Sequence, residues 1–180
     1  LASSSKTTSH HCLLPTDTAR SPRSFPVALP PSFMLAPSPH WLREIDHTGD
    51  IGLQVTASTL PQLFERAALG MFRVLTDLDT VQTPEATEIS VEGRDREALM
   101  VRWLSELNYR HTVNNVLYGA FEVASIDETD DGLTLTATAR GEPIDPDRHL
   151  VHTEIKAITF HGMEIRETDE GWTVQVIFDM

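Results

Sequence analysis

The run Trp172-Thr173-Val174-Gln175-Val176-Ile177-Phe178-Asp179-Met180 ends the sequence on an alternation of apolar and polar side chains. A period of two is the signature of a half-buried strand, so this chain must build a sheet with one face turned to a core. Two anionic groups are expected side by side at that strand end, the Asp179 side chain and the Met180 α-carboxylate. A terminus held by strand pairing can take part in a site, and adjacent hard oxygens suit a cation such as Ca²⁺. The plain alternative is a solvated strand end.

Composition divides the 180 residues in two. Residues 1–39 are rich in Ser, Thr and Pro and show no periodicity, so this N-terminal extension is expected to be disordered. Its leading Leu1 and the position of Met34 fit a start site placed too far upstream or a non-native remnant. A transit peptide is the rival reading, but its few arginines lie on no amphipathic face. The extension holds three of the 14 Lys and Arg residues and one of the 27 Asp and Glu residues, together with the single cysteine, Cys12. Residues 40–180 therefore form the expected globular domain, with no thiol chemistry or disulfide, in keeping with a reducing, cytoplasmic setting. No apolar run is long enough to span a membrane.

The domain carries about fifteen net negative charges, which repel a phosphate backbone. Stable direct nucleic-acid binding is disfavoured, whereas a basic partner protein or metal ions are compatible. Lys156 is its single lysine. A compact ammonium differs chemically from a guanidinium fork, so the residue stands out. The alternative is an accidental lysine on a solvated face. The spacing places it within a strand-like run from Thr153 to His161.

Ile51, Leu53, Val55 and Ala57 alternate as a strand. Thr59 and Gln62 resemble a capping box ahead of a helix with apolar positions from Leu60 to Leu75, in which Gly70 suggests close packing. Thr87, Ile89 and Val91 mark another strand, and Asp95 caps a second helix carrying Leu99, Met100, Trp103, Leu104 and Leu107. Strands and hairpin turns at Asp130-Asp131-Gly132 and Asp169-Glu170-Gly171 fill the second half. The expected class is α+β: a mixed, largely antiparallel sheet with two helices packed on one side.

Asp46-His47-Thr48-Gly49-Asp50 is the densest polar cluster before a strand. If the strand from Ile51 pairs antiparallel with the one ending at Phe178, Asp50 approaches Asp179 and Met180. The three carboxylates would repel one another unless a cation intervened. His47, His149 and His161 lack metalloprotease spacing and sulfur co-ligands, so solvated or hydrogen-bonded histidines are expected there. No phosphate loop or serine elbow is present.

Six stretches, in order, resemble the archease family: Asp46 to Gly52, Ala67 to Phe72, Trp103 to Tyr109, Gly141 to His149, Thr153 to His161, and Val176 to Met180. The resemblance covers residues 40–180. It implies an archease-like fold and a non-catalytic protein cofactor of the RtcB-type RNA ligase of tRNA splicing and RNA repair, promoting ligase guanylylation and multiple turnover. It further implies a divalent-cation site, often described with Ca²⁺, at Asp50, Asp179 and Met180, and a functional lysine at Lys156. Departures from the family pattern are Gly49 for alanine, Met180 for isoleucine and Phe160 for tyrosine. Two other readings stay open: a chaperone-like modulator of another RNA-processing enzyme such as a tRNA methyltransferase, and a metal-dependent hydrolase using Asp50 and Asp179.

Overall fold

The computed structural model describes residues 38–47 and 50–180; the side chains of Asp46 and His47 lie outside the description. The disorder expected of 1–39 and its boundary with the domain therefore fall outside the described residues, apart from Ser38 and Pro39. So does Gly49. Among the described residues no helix is long and apolar enough to cross a membrane.

The elements run β1 (Leu42–His47), β2 (Asp50–Ala57), α1 (Leu60–Leu75), a short 3-10 turn (Leu78–Thr80), β3 (Glu85–Gly93), α2 (Arg96–Asn114), β4 (Val116–Thr129), β5 (Gly132–Pro143), β6 (Ala157–Thr168) and β7 (Gly171–Asp179). The α+β class with two helices is as expected. The strands, however, divide into two sheets, in the orders β1-β2-β7-β6 and β3-β5-β4. Every named strand pairing is antiparallel, and both helices contact both sheets. One sheet cannot cover two helices whose apolar arcs are this wide. On α1, buried positions include Leu63, Ala67 and Val74 as well as Phe64, Ala68 and Phe72, an arc that meets a sheet on each flank.

Local chemistry sets the helix ends. The Thr59 hydroxyl accepts from the Gln62 amide at 3.3 Å, and Gln62 Oε1 accepts in return from the Ser58 amide at 3.0 Å. Asp95 Oδ1 accepts from the Ala98 amide at 2.7 Å. Asn115, at φ 53°, takes the left-handed conformation that ends α2. Gly70 is where α1 approaches the first sheet: a Cβ there would sit 3.1 Å from a Leu53 methyl and 3.2 Å from one of Leu42. The close approach expected of this glycine is met by β2 and by β1, the latter a strand that periodicity did not reveal because Leu42 and Ile45 fall out of phase.

The largest fully buried side chains are Trp103, Phe64, Phe72 and Phe178. Each contributes roughly 1.5–3 kcal/mol of burial. Trp103 Nε1 donates to the Phe64 carbonyl at 3.1 Å and so ties α2 to α1.

The closing alternation behaves as its period demands. Val174, Val176 and Phe178 are buried against Val55, Leu53 and Ile51, their direct partners on β2. The opposite phase of β7 carries Gln175, Ile177 and Asp179. Ile177 is nevertheless only 2% exposed. The cover comes from a bulge in β6, where the register jumps between Thr159 and Glu164. Gly162 turns that bulge with φ 68°, and a Cβ on it would touch the Ile177 side chain at 3.4 Å.

Candidate functional site

Pairing of β2 with β7 brings one row of residues together at the end of the first sheet. His47 of β1 lies opposite Asp50 of β2, Asp50 opposite Asp179 of β7, and Asp179 opposite Ala157 of β6. Residues directly opposite in an antiparallel ladder send their side chains to the same face, with Cβ atoms roughly 4.5–5.5 Å apart. The carboxylates of Asp50 and Asp179 thus emerge side by side. Asp50 is half-buried and Asp179 exposed. Neither carboxylate has a hydrogen bond or ion pair among the described residues.

Met180 follows directly, half-buried, with its side chain packed against the core. Its main-chain oxygen accepts a 2.5 Å hydrogen bond from Lys156 Nζ, and the Lys156 amide donates to the Asp179 carbonyl at 2.9 Å. Asp50, Asp179, Met180 and Lys156 are therefore gathered at one sheet end. Lys156 is not within a strand, as the spacing suggested. It is the residue before β6, because the β7 ladder it would pair with ends at Asp179.

Two like charges placed directly opposite destabilise a ladder. Carboxylates and a main-chain carbonyl are the hard oxygens that Ca²⁺ takes, so the donor set fits such an ion chemically. It completes one only at the limit. Ca²⁺ takes about six to eight oxygens, and the Asp50, Asp179 and Met180 carboxylates reach six only if all three bind through both oxygens. Among the described residues no group of three or more His, Cys, Asp or Glu side chains could enclose a metal. Any ion held here would keep coordination positions open to water or to a partner.

The loop from Gly141 to His149 is a separate construction. Glu142 is buried, and both its oxygens accept from the Arg148 guanidinium, at 2.6 and 2.7 Å. It also accepts from the Gln82 amide at 2.5 Å. The Arg148 fork holds the Glu142 carboxyl down, to a pKa of about 2, with the Gln82 amide adding to the effect. His149 Nδ1 accepts from the Asp145 amide at 3.0 Å, so Nε2 carries the hydrogen and faces Thr80 O and Glu142 Oε1, each at 3.2 Å. This histidine is a buried latch with both ring nitrogens engaged. His161 is exposed in the β6 bulge; the His47 side chain lies outside the described residues.

Periodicity gave no role to Asn108, a polar residue on the buried face of α2. Its Nδ2 donates to the Ile155 carbonyl at 2.8 Å. Ile155 is itself buried, so Asn108 pins the segment that carries Lys156. An amide at helical spacing between Leu104 and His111 was the available signal.

Comparison with known proteins agrees with this architecture. The sequence profile of the archease protein family matches residues 42–180. The chain is similar to protein archease of Methanopyrus kandleri, 40% identical over 137 residues, covering 76% of this chain and 97% of that protein. It is likewise similar to protein archease of Methanothermobacter thermautotrophicus, 42% identical over 135 residues, or 75% and 95% of the two chains. The solution structure of Methanobacterium thermoautotrophicum protein 1598 superposes with a TM-score of 0.67 at 38% identity, covering 78% of this chain and 99% of that one. With a profile match over most of its length, relatives near 40% identity and a shared fold, the chain belongs to the archease family.

Proposed function

We propose that this protein is a non-catalytic cofactor of an RtcB-type RNA ligase in tRNA splicing and RNA repair, promoting guanylylation of the ligase and its repeated turnover. The observation that carries the reading is the register row that sets Asp50 beside Asp179, with Lys156 and Met180 at the same sheet end, in an archease-family chain. The row presents oxygens to the outside rather than enclosing a substrate.

Asp50, Asp179 and the Met180 main-chain oxygen would hold a divalent cation, with Ca²⁺ the favoured ion. Such an ion supplies positive charge between facing carboxylates and open positions for a partner's oxygens. The chain's own contribution is to orient. The β2–β7 ladder fixes the two aspartates on one face, and the short bond from Lys156 to Met180 holds an ammonium at their edge. That ammonium is exposed and can exchange its carbonyl for a phosphate or carboxylate oxygen on the ligase or its nucleotide. The formal net charge of −13 favours a basic groove on a protein over RNA itself, with a salt-sensitive association rate. The reading assigns the protein to the cytoplasm.

The test is ligation turnover by the ligase with GTP, alone and with this protein, comparing wild type with Asp50→Ala and Lys156→Ala. Wild type should convert single turnover to multiple turnover and both variants should not. Equal turnover with and without the protein would overturn the reading.

A further inference from the structure

The two sheets leave four strand edges, on β1, β6, β3 and β4, and these are not equivalent. β4 is bulged in two places, and its Val123 amide donates to Glu65 Oε1 of α1 at 2.9 Å. β6 is bulged between Thr159 and Glu164, and its Ile165 amide donates to Glu97 Oε1 of α2 at 3.0 Å. On both strands a helix glutamate takes the place of a further strand's carbonyl. β1 has six residues. β3 has nine and pairs with β5 in unbroken register from Glu85 to Gly93. Among the described residues nothing bonds to its outer edge. Every second residue of an antiparallel strand turns its N–H and C=O away from its partner, so β3 presents a straight row of unused donors and acceptors. Such an edge is a template for pairing with another extended chain.

A groove of about 540 Å³ lies between this strand and α2. It is lined by Ser90, Val91 and Glu92 of β3 and by Arg102, Ser105 and Glu106 of α2, three positions on one face of the helix. A strand edge with a helix beside it suits an extended peptide that adds as a strand: main-chain bonds give affinity, and alternate side chains give selectivity.

The alternation of β3 also states the chemistry of the guest. Ile89 is buried and Val91 half-buried on one phase, whereas Glu88, Ser90 and Glu92 are exposed on the other. The strand carries Glu85, Glu88 and Glu92 and no basic residue. The one cation in the groove lining, Arg102, belongs to the helix wall. An added strand therefore meets carboxylates at every second or fourth position along one face, which calls for Lys or Arg there. A nucleic acid would be repelled by the same glutamates and has no peptide edge to pair. A second copy is disfavoured too. Two-fold pairing of β3 with itself about Ser90 sets Glu88 against Glu92, like charges directly across a ladder.

We propose that the β3 edge is a docking site for an extended, basic segment of a protein partner, which joins the sheet β3-β5-β4 as a fourth strand. Its main chain pairs with β3, its Lys or Arg side chains lie against Glu88 and Glu92, and its other phase enters the groove beside Val91 and Ser105. The site is on the other sheet from Asp50 and Asp179, so a partner held here leaves the carboxylate row free.

The test titrates the full chain, ¹⁵N-labelled and at low salt, with a synthetic peptide of about eight residues alternating Lys and Val, the length of an ordinary strand. Two controls run beside it: the same peptide N-methylated at every residue, and one alternating Glu and Val. The Lys-Val peptide should shift the backbone amides of residues 85–93 and slow their hydrogen exchange, and neither control should. Glu88→Lys combined with Glu92→Lys should weaken binding about tenfold or more. Both side chains are exposed, so the melting temperature of that variant should match wild type. Equal binding of the N-methylated peptide would reduce the effect to charge attraction and overturn the proposal. So would shifts confined to the surroundings of Asp50 and Asp179, or no shifts at all. Shifts in β3 on concentrating the protein alone would assign the edge to a second copy instead. None of these outcomes depends on ligation turnover, so the proposed function stands or falls separately.

Discussion

Asp50 and Asp179 face each other directly across the β2–β7 ladder, so two carboxylates leave the same face of one sheet as immediate neighbours. Opposed like charges cost about 0.2–1 kcal/mol in a sheet. Asp179→Asn should therefore raise the stability of the cation-free protein by that order. It should also abolish any rise in melting temperature on adding Ca²⁺. Thermal denaturation of wild type and variant, with chelator and with millimolar Ca²⁺, measures both. A variant that loses stability without the ion and keeps the full Ca²⁺ response would contradict the shared site.

Lys156 is exposed and its ammonium meets the Met180 carbonyl at 2.5 Å. Removing it should leave the fold within about 0.5 kcal/mol of wild type, the usual range for a surface substitution. A hydrogen bond to a charged group contributes about 1.5–3 kcal/mol, so Lys156→Ala should lower ligase activation roughly ten- to hundredfold. Lys156→Arg should restore little, since a planar fork cannot occupy the place of a compact ammonium. Multiple-turnover ligation rates alongside urea denaturation separate the two effects.

Gly141 lies on β5 opposite Tyr118, and a Cβ there would collide with the Leu117 carbonyl of β4. The obstacle is backbone, which cannot rotate away as a side chain end can. Gly141→Ala should cost about 1–3 kcal/mol or more, read as a fall in the urea midpoint. A neutral result would mean that β4 and β5 separate more readily than their register indicates.

Glu142 titrates with a pKa of about 2 against an ordinary 4.5, chiefly through its bonds to Arg148. A carboxyl depressed by folding stabilises the native state fully above its unfolded value. That contribution is lost as pH falls from about 4.5 toward 2. Wild type should thus be more stable than Glu142→Gln at neutral pH, and the gap should narrow through that acid window. Melting curves between pH 7 and pH 2 test it; a gap independent of pH would assign the loop's stability to packing instead.

How much of this was legible in residue order differs from element to element. Caps at Thr59 and Asp95, the apolar stripes of both helices and the alternation of β7 are local chemistry, and each appears where its spacing indicates. Strand β1 was not legible, because its apolar residues break phase. The split into two sheets was not legible either, since period-two alternation states which face is buried but not which strands share a ladder. Lys156 shows the same limit. Its run reads as continuous strand, yet pairing stops where β7 offers no further partner.

The candidate site divides the same way. Residue order alone singled out Asp50, Asp179, Met180 and the solitary lysine of the domain; it linked the first three only on condition that the strand from Ile51 pairs antiparallel with the one ending at Phe178, which is the pairing found. The distance between Asp50 and Asp179 along the chain is closed only by the long-range β2–β7 pairing, whose register no local preference encodes. The Asn108 amide that pins Ile155 and the cover over Ile177 likewise exist only once α2, β6 and β7 are assembled. Side-chain type and spacing act over a few residues, whereas contacts between distant segments are decided by burial of the whole core.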